Sequence, residues 1–253
     1  MAHGPKWRAV WRLAPLWALA ACGGRVADGD VAGDTPEDER YCAEGTPLCL
    51  EAVLAPQPGA CDGPLADSAP PLDRGTLDLA LAYEYAGHVR VLSERSSLQI
   101  RDMEIALLVS GELATEFTSG SSAALGAGTA QAPHVGVLES RLLPSPVGKE
   151  LGTRLPGSST PLHVTLLITA RATTPEGEDV RSNTLSFELS VCEGCLIDFP
   201  AEALELSTDG ALCAAGDGAS VMAPCRLGQD ERVDCRLCAD SEPACQRAPM
   251  GEL

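Results

Sequence analysis

The stretch VTLLITARATTPEGEDVRSNTLSFELSV, residues 164–191, decides how this chain folds. Val164, Leu166, Ile168 and Ala170 fall at every second position, and so do Leu185, Phe187, Leu189 and Val191, which alternate with Thr184, Ser186, Glu188 and Ser190. A period of two places one set of side chains on one face of a strand and the other set on the opposite face, so each run reads as a strand with one buried side. Between them TPEGED supplies Pro, Gly and acidic turn residues, and the whole reads as an antiparallel hairpin.

The same alternation extends upstream. Leu77, Leu79, Leu81, Tyr83 and Tyr85 alternate with Asp78, Ala80, Ala82 and Glu84, with Val89 and Val91 continuing after a break at Gly87, and Met103, Ile105, Leu107 and Val109 repeat the pattern. TSGSSAALGAGTAQAP, residues 118–133, is too poor in bulky side chains for a core strand and is expected to be a long loop. Several strands with no amphipathic helix between them predict a mainly β chain, an immunoglobulin-like antiparallel β-sandwich over 76–191. The Cys-Trp-Cys hallmark of antibody domains is missing from it.

Beyond Val191 the composition changes. Residues 192–253 carry Cys192, Cys195, Cys213, Cys225, Cys235, Cys238 and Cys245, a density that predicts a small disulfide-rich module held by crosslinks rather than by a large apolar core. CEGC and CRLC could supply four thiolates to zinc, but 39 residues separate the pairs, against about 15 to 20 in zinc ribbons. CEGC followed by Pro200 and AEALELS also resembles the thioredoxin active-site turn, which gives an alternative function, an extracytoplasmic thiol-disulfide oxidoreductase using Cys192 and Cys195. Against it, a β-hairpin rather than a βα unit precedes Cys192. Structural disulfides are the expectation, with no metal, no cofactor and no catalytic residue.

At the other end, Lys6, Arg8 and Arg12 precede an uncharged run from Leu13 to Ala21, the layout of a secretory signal and too short for a bilayer span. Leu19-Ala20-Ala21-Cys22 resembles a bacterial lipobox, which implies cleavage before Cys22, a thioether-linked diacylglycerol on its sulfur and an acyl chain on its nitrogen. Ala18-Leu19-Ala20 also satisfies an ordinary A-x-A cleavage rule. Parity favours the lipid: of eleven cysteines, removing Cys22 leaves ten that can all pair.

Residues 1–22 are thus expected to be a lipoprotein signal peptide ending in the lipidated cysteine. Residues 23–75 are expected to be an acidic flexible tether and a short cysteine segment holding Cys42, Cys49 and Cys61. Within the tether Asp28, Asp30, Gly33 and Glu39 match four positions of an EF-hand loop, but Ala32 and Pro36 break it and no entering helix has room, so a solvated spacer is expected instead. All three Trp precede Cys22, which argues against stacking recognition of sugars or bases. The chain carries 18 cations and 36 acids; the first 22 residues take three cations and no acid, leaving 15 against 36, about −21. That surface repels nucleic-acid phosphates. The expected partners are the membrane, through the lipid anchor, and a protein. His88, His134 and His163 fall in no metalloprotease spacing, and no G-x-S-x-G elbow or phosphate loop is present.

RSNTLSFELSVCEGCLIDF and PCRLGQDERVDCRLC resemble uncharacterised cysteine-rich lipoproteins of myxobacterial type, in which a strand ends in a C-x-G-C turn and a later G-Q-D precedes another cysteine. The resemblance spans roughly residues 181–245. It implies a cell-envelope lipoprotein with a non-catalytic binding or structural role, and Gly23 after the lipidated cysteine is compatible with the outer membrane. One further expectation is arithmetic. Three cysteines precede residue 76 once Cys22 is set aside, and seven follow residue 191; both counts are odd, so complete pairing within one chain requires a bond between the two ends.

Overall fold

The computed structural model describes residues 47–55, 69–94, 97–129, 132–155, 160–205, 213 and 221–246. The signal, the tether with its EF-hand-like positions, Cys22, Cys42 and Cys61 lie outside them. Ten strands are described, with few helices. β1 (Leu48–Leu54), β3 (Tyr85–Ser93) and β6 (His134–Leu143) form one antiparallel sheet in the order β1-β3-β6. β2 (Arg74–Asp78), β4 (Leu98–Val109), β5 (Glu112–Leu125), β7 (Leu162–Thr173) and β8 (Asp179–Cys192) form a second in the order β2-β8-β7-β4-β5. One continuous apolar core lies between them, from Leu50, Val89 and Leu138 on the first sheet to Ile105, Ile168 and Leu189 on the second. The chain is a mainly β, two-layer sandwich followed by a disulfide-rich module.

The hairpin read from 164–191 is the centre of the larger sheet. Val164 faces Leu189, Leu166 faces Phe187 and Ile168 faces Leu185, and Thr174 and Glu178 close the turn with Gly177 at φ +88°. On the outer face of the same strands, charges replace apolar groups. Arg171 grips Asp102, its partner across the ladder, with both contacts at 2.6 Å, and also reaches Glu104, which Arg181 shares. Arg171 and Arg181 sit opposite each other in register, so these carboxylates offset a like-charge cross-strand pair.

Five expectations change. The run Leu77 to Tyr85 is two strands rather than one, because Asp78 folds the chain back: its backbone carbonyl accepts from Leu81 and Ala82 and its side chain accepts from Ala80 N–H. β2 and β3 therefore enter different sheets, and β3 runs unbroken through Gly87, where a Cβ would meet Leu142 at 2.7 Å. β2 pairs with β8 in parallel, not antiparallel. Residues 118–125, expected in a loop, continue β5 as an edge strand. Their small side chains let β6 approach: Ser140 Oγ donates to Ser119 Oγ at 2.9 Å and Ser121 Oγ donates to the Glu139 carbonyl at 3.2 Å. Lastly, the sandwich, expected over 76–191, begins upstream of residue 76. β1 joins it with Cys49 wholly buried opposite Leu92. The eight-residue helix α1 (Ser145–Gly152), entered through two prolines, shows no apolar period in the sequence.

On the opposite side, where β1 meets the larger sheet, one side chain bridges the two layers. Asn183 on β8 offers its carbonyl oxygen to Leu50 N–H at 2.7 Å and its amide to the Leu50 carbonyl at 3.0 Å, imitating a strand neighbour for β1. Leu50 is fully buried, so its peptide groups have no water to fall back on. Asn183→Ala is expected to lower stability by about 2 kcal/mol, the cost of leaving buried backbone groups unpaired. A urea midpoint unchanged from that of the parent protein would contradict this closure.

Candidate functional site

The module after β8 is built onto one strand of the sandwich. β2 has β8 along one edge. On its other edge lies the segment Gly228, Gln229 and Asp230: Leu77 bridges Gln229, Asp78 N–H donates to the Gly228 carbonyl at 2.9 Å, and Asp230 N–H donates to the Thr76 carbonyl at 3.0 Å. Gln229 Nε2 donates to the Glu84 carbonyl at 2.6 Å. Gly228 holds φ +80°, and a Cβ there would lie 2.8 Å from that of Leu81, so both the backbone and the space demand glycine.

Asp230 closes the contact. Its carboxylate accepts from Thr76 N–H at 2.7 Å and from the Tyr85 hydroxyl at 2.8 Å. Tyr85 is buried against Phe187, with ring centroids 6.0 Å apart, and a Cβ on Gly75 would collide with its hydroxyl. Burial pushes the Tyr85 phenol far upward, with the Asp230 charge adding to it, so it stays protonated and donates. Burial also raises Asp230, outweighing the opposing pull of the Thr76 and Tyr85 hydrogen bonds.

At the end of β2, Asp78 organises the CEGC turn. This wholly buried carboxylate accepts from Ala80 N–H (3.0 Å) and Gly194 N–H (2.6 Å) at one oxygen and from Leu196 N–H (2.9 Å) at the other. Leu79 N–H donates to the Cys192 carbonyl at 2.8 Å, and Gly194 takes φ +80°. Cys192 and Cys195 are joined in a disulfide, with Cys192 buried and Cys195 exposed. Asp78 Oδ and the two sulfurs lie within 4.8 Å of one another, a grouping with the donor types of a metal site. In the oxidised protein the sulfurs are bonded to each other and both carboxylate oxygens already accept N–H groups, so these donors do not fit an ion.

CRLC behaves differently from CEGC. Cys235 bonds to Cys213 and Cys238 to Cys245, so the two C-x-x-C pairs do not converge on one centre. These four sulfurs, with Ile197, Ala203 and Val233, form the whole buried cluster of the module among the described residues. Closing the 22-residue separation of Cys213 and Cys235 is worth about 3 kcal/mol in the chain-entropy model, against about 2 kcal/mol for the three-residue separation of Cys192 and Cys195. Cys225 is disulfide-bonded too. So is Cys49.

Beside this junction lies a cleft of about 650 Å³ lined by Phe117 and Ser119 of β5 and Ser140 of β6. Its rim carries Arg226 from the module, paired with Glu139 at 2.5 Å, and Arg141, paired with Glu84 at 3.1 Å. Behind Glu139 on the ladder, half-buried His88 is pushed down by burial; Glu139 counters that shift and Arg226 adds to it. His163 sits at the start of β7 and meets Ser190 Oγ at 3.1 Å, and His134 opens β6, so the three histidines lie on three different strands. Apart from His88, the residues around the cleft carry no signal in the sequence: they come from β3, β5, β6 and the Arg226 loop, and no local pattern joins them.

No family model matches the chain, and no curated protein matches it. Among solved structures, a family 123 glycoside hydrolase from Clostridium perfringens, described for glycolipid glycan hydrolysis, aligns at 9% identity and a TM-score of 0.27 over 65% of this chain. The aligned part is 33% of that enzyme, so this chain spans about a third of its length, and the likeness carries no argument about activity.

A pH dependence follows from Asp230. Because its native pKa is raised above the unfolded one, its contribution to stability is complete below the unfolded pKa and is lost as pH rises through the folded one. Asp230→Asn, which keeps an oxygen for Thr76 N–H, is expected to flatten stability measured by urea midpoint between about pH 3 and pH 7 relative to the parent. Parallel curves for the two proteins would refute the role of that carboxyl.

Proposed function

We propose that this protein is a cell-envelope lipoprotein, held at the outer membrane by acyl chains on Cys22, whose sandwich and disulfide-rich module serve a non-catalytic binding or structural role. The observation that carries the reading is the oxidation state: all eight cysteines among the described residues are disulfide-bonded, as befits a chain matured outside the reducing cytoplasm. The lipobox-like Leu19-Ala20-Ala21-Cys22 supplies the anchor.

Binding is supported by the cleft between β5 and β6. It offers one aromatic ring, two serine hydroxyls and paired charges of both signs, and Arg226 on its rim is fixed by the same segment that docks the module on β2. Such a lining suits a polar, net-neutral surface of a protein partner, since each guanidinium already faces a carboxylate.

Replacing Cys22 by Ser removes the sulfur that takes the diacylglyceryl group. The variant is expected to move from the detergent phase to the aqueous phase in Triton X-114, because acyl burial at about 0.8 kcal/mol per CH₂ is what would hold the acidic chain at a membrane. Unchanged partitioning, or a parent N-terminus without the mass of the lipid, would sink the proposal.

A further inference from the structure

The Cys192–Cys195 bond differs from its neighbours in two respects. First, the fold around it does not need it. Gly194 and Leu196 are tied to Asp78 through their N–H groups, and the Cys192 carbonyl is tied to Leu79, so the turn is fixed by hydrogen bonds that survive if the sulfurs part. By contrast, Cys213, Cys235, Cys238 and Cys245 are themselves the buried cluster of the module. Second, its two residues are unequally placed: Cys195 is exposed, whereas Cys192 is 3% exposed with its sulfur 3.6 Å from the Leu77 carbonyl.

We propose that Cys192–Cys195 is an exchangeable disulfide entered at Cys195, and that its reaction partner is an exposed dithiol on another exported polypeptide. A thiolate of the partner attacks Cys195 Sγ. A new sulfur–sulfur bond forms there, the Cys192–Cys195 bond breaks, and its electron pair goes to Cys192 Sγ. That sulfur then takes a proton from water, with the Leu77 carbonyl 3.6 Å away to accept its S–H. The partner's second thiolate then attacks its own bridged sulfur and releases Cys195, leaving the partner oxidised by two electrons and this protein as the dithiol. Asp78 is a positioning residue: by holding Gly194 and Leu196 in either redox state it keeps the two thiols together, so that a small disulfide such as oxidised glutathione, which takes the two electrons and leaves as two thiols, re-forms the bond by the reverse exchange. This activity is independent of the lipid anchor and of the cleft.

The test uses the purified full chain with dithiothreitol as the probe, alkylation of free thiols at each concentration, and peptide mapping. Cys192–Cys195 is expected to open at a concentration at least about tenfold lower than the other described pairs, with the far-ultraviolet spectrum unchanged. In single-cysteine form, Cys195 of Cys192→Ser is expected to form a mixed disulfide with oxidised glutathione at least about tenfold faster than Cys192 of Cys195→Ser, because access governs attack. Asp78→Asn is expected to slow re-formation of the bond by oxidised glutathione without changing which sulfur reacts first. Opening of Cys192–Cys195 only together with the other pairs or with loss of structure, or a faster Cys192, would overturn the proposal.

Discussion

A strand at the border of a sheet leaves every second N–H without a ladder partner, and in this protein the resolution of that problem joins its two parts. β2 spends one edge on β8, which leaves Thr76 and Asp78 pointing their N–H groups away from the sheet. Gly228 and Asp230 take them, one with a carbonyl and one with a carboxylate. Buried peptide groups without partners cost about 1 to 3 kcal/mol each, so this short segment is bound to β2 by a requirement of the sheet itself. The Asp230–Tyr85 contact then ties the same segment to β3 of the other sheet.

Much else follows from that junction. Asp78, the last residue of β2, turns the chain toward the three-stranded sheet and at the same time holds the turn in which β8 ends. One carboxylate thereby fixes where the sandwich ends and where the module begins. Arg226, two residues before Gly228, is carried to the mouth of the cleft and meets Glu139 there. The module, four of whose seven buried cluster residues are cysteines, is oriented by hydrogen bonds to β2 together with the small apolar contact that Ala80 and Leu81 make with that cluster.

The legible parts of this architecture are those with both a period and bulk. β7, β8 and most of β4 alternate Val, Ile, Leu and Phe with polar residues, and their strand assignment needs nothing beyond the sequence. β5 escapes such a reading because an edge strand beside a neighbouring sheet can be made of Ser, Gly and Ala, which carry no apolar period. The break at Asp78 is hidden because Leu79 and Leu81 keep up the alternation through a turn, while the residues that stabilise that turn, Gly194 and Leu196, lie 116 and 118 positions away. The C-x-G-C and G-Q-D patterns are visible as patterns. That they lie at one end and along one edge of a single strand is a fact of tertiary structure that no spacing in the chain encodes.

Native-state hydrogen exchange at the amides of Thr76 and Asp78, followed through low concentrations of denaturant, measures this junction most directly. If Gly228 to Asp230 is an integral neighbour of β2, both amides exchange only by global unfolding, with the same free energy as the amides in the centre of β7. Rapid exchange at Thr76 and Asp78 while β7 stays protected would mean that the module is loosely attached, and would contradict the central role of the outer edge of β2.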